Sequence, residues 1–277
     1  MIIWLASYPK SGNTWLRSVL VSYYFTEDGN FNFEDLSRIP DYPNKNFIDA
    51  ADFKNLKDGE VYKYWEKSQK IILQNKKAKF LKTHNIFGNI NGVPFTKPDY
   101  TLGVIHIIRD PRNVITSIKN HLNFENYEKA FNYMISEDAF IKGQDSARFS
   151  FLGTWSAHYK SWSSINSQRR MTIKYEDMEN NTYETFKSIV KYINKLLGIK
   201  NEINNDKLLK AISSTSFDKL SKGEKEGKFK ENVFSNNNQK ITFFNLGPKN
   251  KWEKLLPKDI AHKMNNYYKY DLNKLNY

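Results

Sequence analysis

Residues 2–20 read IIWLASYPKSGNTWLRSVL, and the fold turns on this stretch. Ile2–Ser7 is a continuous apolar run bounded by a turn, which predicts a short buried strand. From Thr14 onward Trp15, Leu16, Val19, Leu20 and Tyr23 recur at helical spacing, with Asn13 or Thr14 as the expected cap. Strand, polar loop and helix open a βαβ unit. Ser11, Gly12, Asn13 and Thr14 can aim backbone N–H groups at an anion at the helix N-terminus. Gly12 lets the backbone approach closely, and Lys10 adds a point charge. The order is unusual: Lys10 precedes Gly12, whereas in G-x-x-x-x-G-K-[ST] the lysine follows the glycine.

Working outward, Thr101–Ile108 (TLGVIHII) is the most strand-like run, ending in Arg109-Asp110-Pro111. Asp110 as cap and Pro111 at the first helical position predict a helix to about His121. Lys79–His84 and Met171–Tyr175 read as further strands. Helices are predicted over Tyr62–Asn75, Tyr127–Lys142, Arg148–Ile165, Thr182–Leu197 (stopped by Gly198), Asp206–Ser213 and Pro257–Tyr270, with short turns near Phe33–Arg38. Gly88–Pro98 reads as a loop, and 221–240, rich in Lys, Glu, Asn and Gly, as a mobile one. Alternating strands and helices imply an α/β fold, a central mainly parallel sheet flanked by helices, in one domain over residues 1–277.

The 277 residues carry a net charge of +13, are 39% hydrophobic and contain no cysteine. The charge points toward anionic partners, balanced against a general Lys and Asn bias. Zero Cys excludes disulfides, thiolate catalysis and Cys-ligated zinc. No H-E-x-x-H or G-x-S-x-G signature occurs, so neither a metal site nor a serine triad is expected. His106 and His121 read as core histidines. No run approaches 18 apolar residues, and the apolar start is too short for a signal peptide, so a cytoplasmic location without membrane insertion is expected.

Ligands of open parallel sheets bind beyond the carboxyl ends of the strands. YPKSGNTW, Lys82-Thr83-His84, Arg109 and Tyr175-Glu176-Asp177 all fall at such ends. Lys82 and His84, two apart, would share a strand face. Arg109 could form a phosphate fork, with Ser117 two turns further on.

YPKSGNTW, Lys82-Thr83-His84, RDPRNVITS and KYEDM, in this order, resemble the cytosolic-type sulfotransferases over roughly residues 1 to 255. The resemblance implies a fold like that of P-loop-containing nucleotide hydrolases. It implies transfer of a sulfuryl group from 3′-phosphoadenosine 5′-phosphosulfate (PAPS) to an acceptor hydroxyl or amine, leaving PAP, without a metal. By matching residues, Lys10, Ser11, Gly12, Asn13 and Thr14 would hold the 5′-phosphosulfate and Trp15 would stack on adenine. Arg109 and Ser117 would bind the 3′-phosphate. Tyr175, Thr215, Phe217 and Gly247 would line the nucleotide site. His84 would be the general base, beside Lys82 and Lys10, and Ser117 would contact Lys10. One stretch departs: the family's Arg-Lys pair before the C-terminal glycine is here Asn245-Leu246. Lys249, Lys251 or the 222–230 loop would have to replace it. The expected partners are PAPS and an acceptor, with no nucleic acid. A nucleotide kinase or NTPase, and a non-catalytic anion or nucleic-acid binder, stay open as alternatives.

Overall fold

The computed structural model describes residues 1–231 and 240–277, and the backbone alone of 233–234. The strands are β1 (Ile2–Ser7), β2 (Lys79–Thr83), β3 (Asn89–Ile90), β4 (Val93–Pro94), β5 (Thr101–Ile108), β6 (Phe140–Lys142), β7 (Phe149–Phe151) and β8 (Arg170–Lys174). The α-helices of the first half are α1 (Asn13–Phe25), α2 (Ala50–Lys54), α3 (Trp65–Leu73), α4 (Pro111–His121) and α5 (Tyr127–Met134). Those of the second half are α6 (Trp155–Ser163), α7 (Tyr175–Asn180), α8 (Thr182–Leu197), α9 (Asn205–Ser214), α10 (Phe217–Lys225), α11 (Trp252–Leu255), α12 (Lys258–Tyr267) and α13 (Lys269–Leu275).

The central sheet runs β2-β1-β5-β8, every pair parallel. All six residues of β1 are buried, as two-sided coverage of a parallel sheet requires. Their alternation divides the core. Ile3 and Leu5 pack with Leu16 and Val19 of α1 and Phe186 and Ile189 of α8. Ile2, Trp4 and Ala6 pack on the other face with Trp65, Phe95 and Trp162. A one-residue slip of β1 would exchange these two sets, so its register is strongly specified.

The expected α/β architecture is therefore present, with local corrections. The α1 N-cap is Gly12, in a left-handed conformation (φ 98°), and neither Asn13 nor Thr14 caps the helix. Asn13 instead donates from Nδ2 to the Leu5 carbonyl (2.9 Å) and the Ser7 hydroxyl (3.1 Å). The expected helices over 127–142 and 148–165 are each shortened by a strand. Phe149 and Phe151 have the period of two of a strand, and Phe140 stacks on Phe149 at 4.7 Å, which closes the β6–β7 hairpin. The 88–98 loop holds the β3–β4 hairpin, turned by Asn91-Gly92 with both φ positive. The last helix breaks at buried Tyr268 into α12 and α13. Of the 221–240 loop, 221–225 belong to α10 and the backbone of 233–234 pairs antiparallel with 240–241, while 232 and 235–239 lie outside the described residues.

The edge strand β2 is covered by residues 40–42. Lys82 N donates to the Pro40 carbonyl (3.0 Å), and Tyr42 N donates to the Lys82 carbonyl (2.8 Å). No described helix is long and apolar enough to cross a membrane.

Ile105, at the middle of β5 and fully buried, has no route to solvent on truncation. Ile105→Ala should cost about 2–5 kcal/mol. Urea unfolding should show this as a lower midpoint at an unchanged m-value.

Candidate functional site

Because the four sheet strands are parallel, their C-terminal ends lie along one edge of the sheet. Tyr8–Thr14 follow β1, His84 follows β2, Arg109 follows β5 and Tyr175 follows β8. A pocket of about 570 Å³ opens there, lined by residues from all four junctions.

At the first junction Lys10 takes a left-handed conformation (φ 67°), and Gly12 follows in the same region. A Cβ on Gly12 would stand 2.5 Å from the Tyr175 ring, so glycine is required by both conformation and space. The Lys10 ammonium lies 3.7 Å over the Phe243 ring. Burial, then the neighbouring Arg109 and Lys82 charges, bring its pKa down to about 7. The buried Ser11 hydroxyl and the Arg109 Nε have no hydrogen-bond partner among the described residues. Arg109 donates from Nη1 to the Lys10 carbonyl (3.0 Å) and stacks 3.8 Å over Tyr175, so the first and third junctions are joined directly.

His84 lies just past the end of β2, which stops one residue short of the expected strand, and faces the same pocket as Lys82. Its Nδ1 is 2.8 Å from the Ser7 carbonyl. A carbonyl only accepts, so Nδ1 carries the proton and Nε2 is left as an acceptor. Its own carbonyl accepts from His158 Nε2 (3.0 Å). Burial first, then the Lys82 charge, lower the His84 pKa to about 3, against a raising effect of the Ser7 carbonyl, so the imidazole is neutral at pH 7.

Lys82 Nζ sits 2.8 Å from the Asp41 carboxylate. Fully buried Arg17 takes Glu231 through both Nη atoms (3.0 and 2.8 Å) and lies 3.8 Å from Asp41. Burial alone would raise the Asp41 pKa, but Lys82 and Arg17 outweigh it and hold the carboxyl well below its usual range. Sequence reasoning missed this cluster. Arg17 carried a readable signal, a charge on the otherwise apolar face of α1; its partners Asp41 and Glu231 carried none, because they are brought in from 24 and 214 residues away.

The remaining expected residues also line the pocket. Trp15 packs edge-on against Tyr175 (6.1 Å), Thr215 is buried with its hydroxyl donating to the Ala211 carbonyl, and Gly247 abuts the Phe217 ring. Ser117 departs in one respect. Its hydroxyl accepts from Asn250 Nδ2 (3.1 Å), and no described hydrogen bond joins it to Lys10, whose ammonium lies instead over Phe243. Of the proposed replacements for the Arg-Lys pair, Lys230 lines the pocket. Lys251 points to Glu179 (2.9 Å), and neither it nor Lys249 is a lining residue. Among the described residues no group of three or more His, Cys, Asp or Glu is placed to hold a metal ion.

A family model described as a sulfotransferase domain matches residues 2–276. The chain belongs to the sulfotransferase family. Sulfotransferase 1A1 of Rattus norvegicus is 25% identical over 196 residues, 70% of this chain and 60% of that protein. Luciferin sulfotransferase of Photinus pyralis is 22% identical over 223 residues, 76% of this chain and 55% of that protein. The match thus spans little more than half the length of these relatives. Mouse sulfotransferase SULT7A1, solved with PAP, superposes with a TM-score of 0.61 at 18% identity, over 98% of this chain and 83% of that one. Retinol dehydratase, solved with androsterone and PAP, gives 0.62 at 15% identity, over 98% and 80%. At such identities the structural likeness establishes the fold, the α/β architecture expected from the alternating strands and helices and from the family resemblance.

Four histidines, His84, His106, His121 and His158, are held neutral, in each case chiefly by burial. Their folded pKa values lie below the unfolded value, so the unfolded chain binds more protons between the two. The stability they contribute is present above about pH 6.5 and is lost as pH falls toward their folded values. The melting temperature should therefore drop between pH 6.5 and 4.5 with a proton slope above one. A flat profile to pH 5 would contradict the burial of these rings.

Proposed function

We propose that this protein transfers a sulfuryl group from PAPS to an acceptor hydroxyl or amine, with His84 as general base. The observation that carries the reading is the fixed tautomer of His84, whose Nε2 lone pair is left for the pocket that Lys10 and Lys82 also line. Family membership and the PAP complexes of the structural neighbours support it.

The pocket fits the nucleotide chemically. Unpartnered Ser11 Oγ and Arg109 Nε are donors without a described acceptor, and the Gly12 backbone leaves room that a side chain would fill. Lys10 through Thr14 would hold the 5′-phosphosulfate. Arg109 and Ser117, with Lys230 close by, would hold the 3′-phosphate. Trp15, Tyr175, Thr215, Phe217 and Gly247 would enclose the adenosine. When bound, PAPS supplies the sulfuryl group and departs as PAP.

His84 Nε2 accepts the acceptor's proton as the new oxygen–sulfur (or nitrogen–sulfur) bond forms. Lys10 stabilises the charge that collects on the bridging oxygen as the old sulfur–oxygen bond breaks. Lys82 contributes less net field than a free ammonium because Asp41 compensates it. Lys10 is therefore the cation on which charge stabilisation mainly rests.

Three measurements test this. Calorimetric titration with PAP should show binding in the low micromolar range, and its absence would overturn the assignment. His84→Ala should slow transfer from radiolabelled PAPS to a hydroxyl-compound panel by about 10²–10⁴-fold while PAP affinity holds; equal loss of both would make His84 structural. Arg109→Ala should do the reverse and weaken PAP binding.

Lys10 adds a pH dependence. Its pKa of about 7 must rise when anionic phosphates arrive beside it, so binding takes up a proton above pH 7. PAP affinity should be level below pH 7 and weaken by up to about tenfold per pH unit above it. At pH 8, titrations in buffers of different ionisation enthalpy should show proton uptake in the wild type and none in Lys10→Arg.

A further inference from the structure

The end of the pocket beyond β2 has a composition that the nucleotide does not explain. Its walls come from residues 41–43 on one side and from the β6–β7 hairpin on the other, through Lys142, Gln144, Arg148 and Ser150. The hairpin is fastened beside the His84 element. Ile86 N donates to the Phe151 carbonyl (2.7 Å), Phe151 N donates to Asn85 Oδ1 (3.0 Å), and Asn85 Nδ2 reaches the Ser150 hydroxyl (3.4 Å). Arg148 and Ser150, two residues apart, both line this end of the pocket.

The charges here are unequally committed. Asp41 is engaged by Lys82, and Glu231 by Arg17. Lys142 pairs with Asp58. Arg148 makes no side-chain hydrogen bond among the described residues, and its Nε is buried without a partner. Its nearest carboxylate, Asp145, stands 3.9 Å from Nε, beyond hydrogen-bond range. Gly143 holds the guanidinium stem close: a Cβ there would come within 2.8 Å of the Arg148 side chain. The pocket end beyond β2 thus presents a planar cation that makes no described side-chain hydrogen bond and holds only a loose 3.9 Å ion pair with Asp145, leaving its fork open to two-point recognition of an oxyanion.

We infer that the acceptor is a hydroxyl compound that itself carries an anionic group, a carboxylate or a sulfate, which Arg148 binds while the hydroxyl faces His84. The inference rests on the sulfotransferase reading and names the class of acceptor for that site. Arg148 acts here as a specificity residue, separate from the cations assigned to the nucleotide.

The test is calorimetric titration of the PAP-saturated protein with three probes of similar shape: 4-hydroxybenzoate, 4-hydroxybenzenesulfonate and the methyl ester of 4-hydroxybenzoate. At least one anion should bind about tenfold or more tightly than the neutral ester, a preference of about 1.4 kcal/mol. The tighter of the two anions tells carboxylate from sulfate chemistry. Arg148→Ala should remove the preference, and Arg148→Lys should restore part of it, since it keeps the charge and loses the fork. Equal binding of the three probes, a preference that survives Arg148→Ala, or no binding of either anion at about 10 mM would overturn the inference. The PAP titration of the same samples separates the two readings. Failure to bind PAP overturns both, whereas PAP binding without charge preference overturns only the acceptor class.

Discussion

Ser7, the last residue of β1, joins the two halves of the site. Its hydroxyl accepts from Asn13 at the start of α1, and its carbonyl accepts from the His84 imidazole. One peptide unit therefore sets the distance between the Lys10–Thr14 loop and the His84 imidazole. It can do so because β1 is buried on both faces and paired on both edges, with Ala6 opposite Thr83 on one side and His106 on the other. A strand so constrained cannot shift register without exchanging its two core faces. The positions of Lys10, Gly12 and His84 follow from that immobility rather than from contacts among themselves.

A second consequence concerns electrostatics. The pocket gathers Lys10, Lys82 and Arg109 within reach of one another, and their mutual repulsion is part of what lowers the Lys10 pKa. Asp41 and Glu231 answer that repulsion at the far side, through Lys82 and Arg17. Positive charge is thereby left least compensated next to the backbone N–H groups of the loop, where an anion gains most from it. The arrangement favours a multiply charged ligand and penalises the protonated lysine alone.

The sheet and the strand-end residues were legible because they depend on local signals. Continuous apolar runs gave β1 and β5, Asp110-Pro111 opened α4, and Gly198 closed α8 in a left-handed cap. The resemblance carried the site residues, and all of them but Ser11 line the pocket. What stayed hidden depends on long-range partners. The two strands of the β6–β7 hairpin were read as the end of one helix and the start of the next, because their pairing with each other and with residues 85–86 leaves no local trace. Asp41 and Glu231 were invisible because neither sits in a motif, and their importance arises only when folding brings Arg17 and Lys82 to them. Asn250 was seen only as part of a departure from the family pattern. It turns out to bridge Thr116, Asn113 and Ser117, bracing the helix that carries the expected phosphate contact.

Residues 40–42 do two jobs at once. They bring Asp41 to the pocket wall, and their backbone completes the ladder on the outer side of β2. An unpaired strand edge of this kind is a template on which a second chain can add. Substitutions that remodel this wall therefore act on colloidal behaviour as well as on ligand choice. A variant that remodels residues 40–43 would risk self-association in proportion to how far it loosens the segment. The hairpin wall at 141–150 lies apart from that edge, so changes there leave the cover of β2 in place.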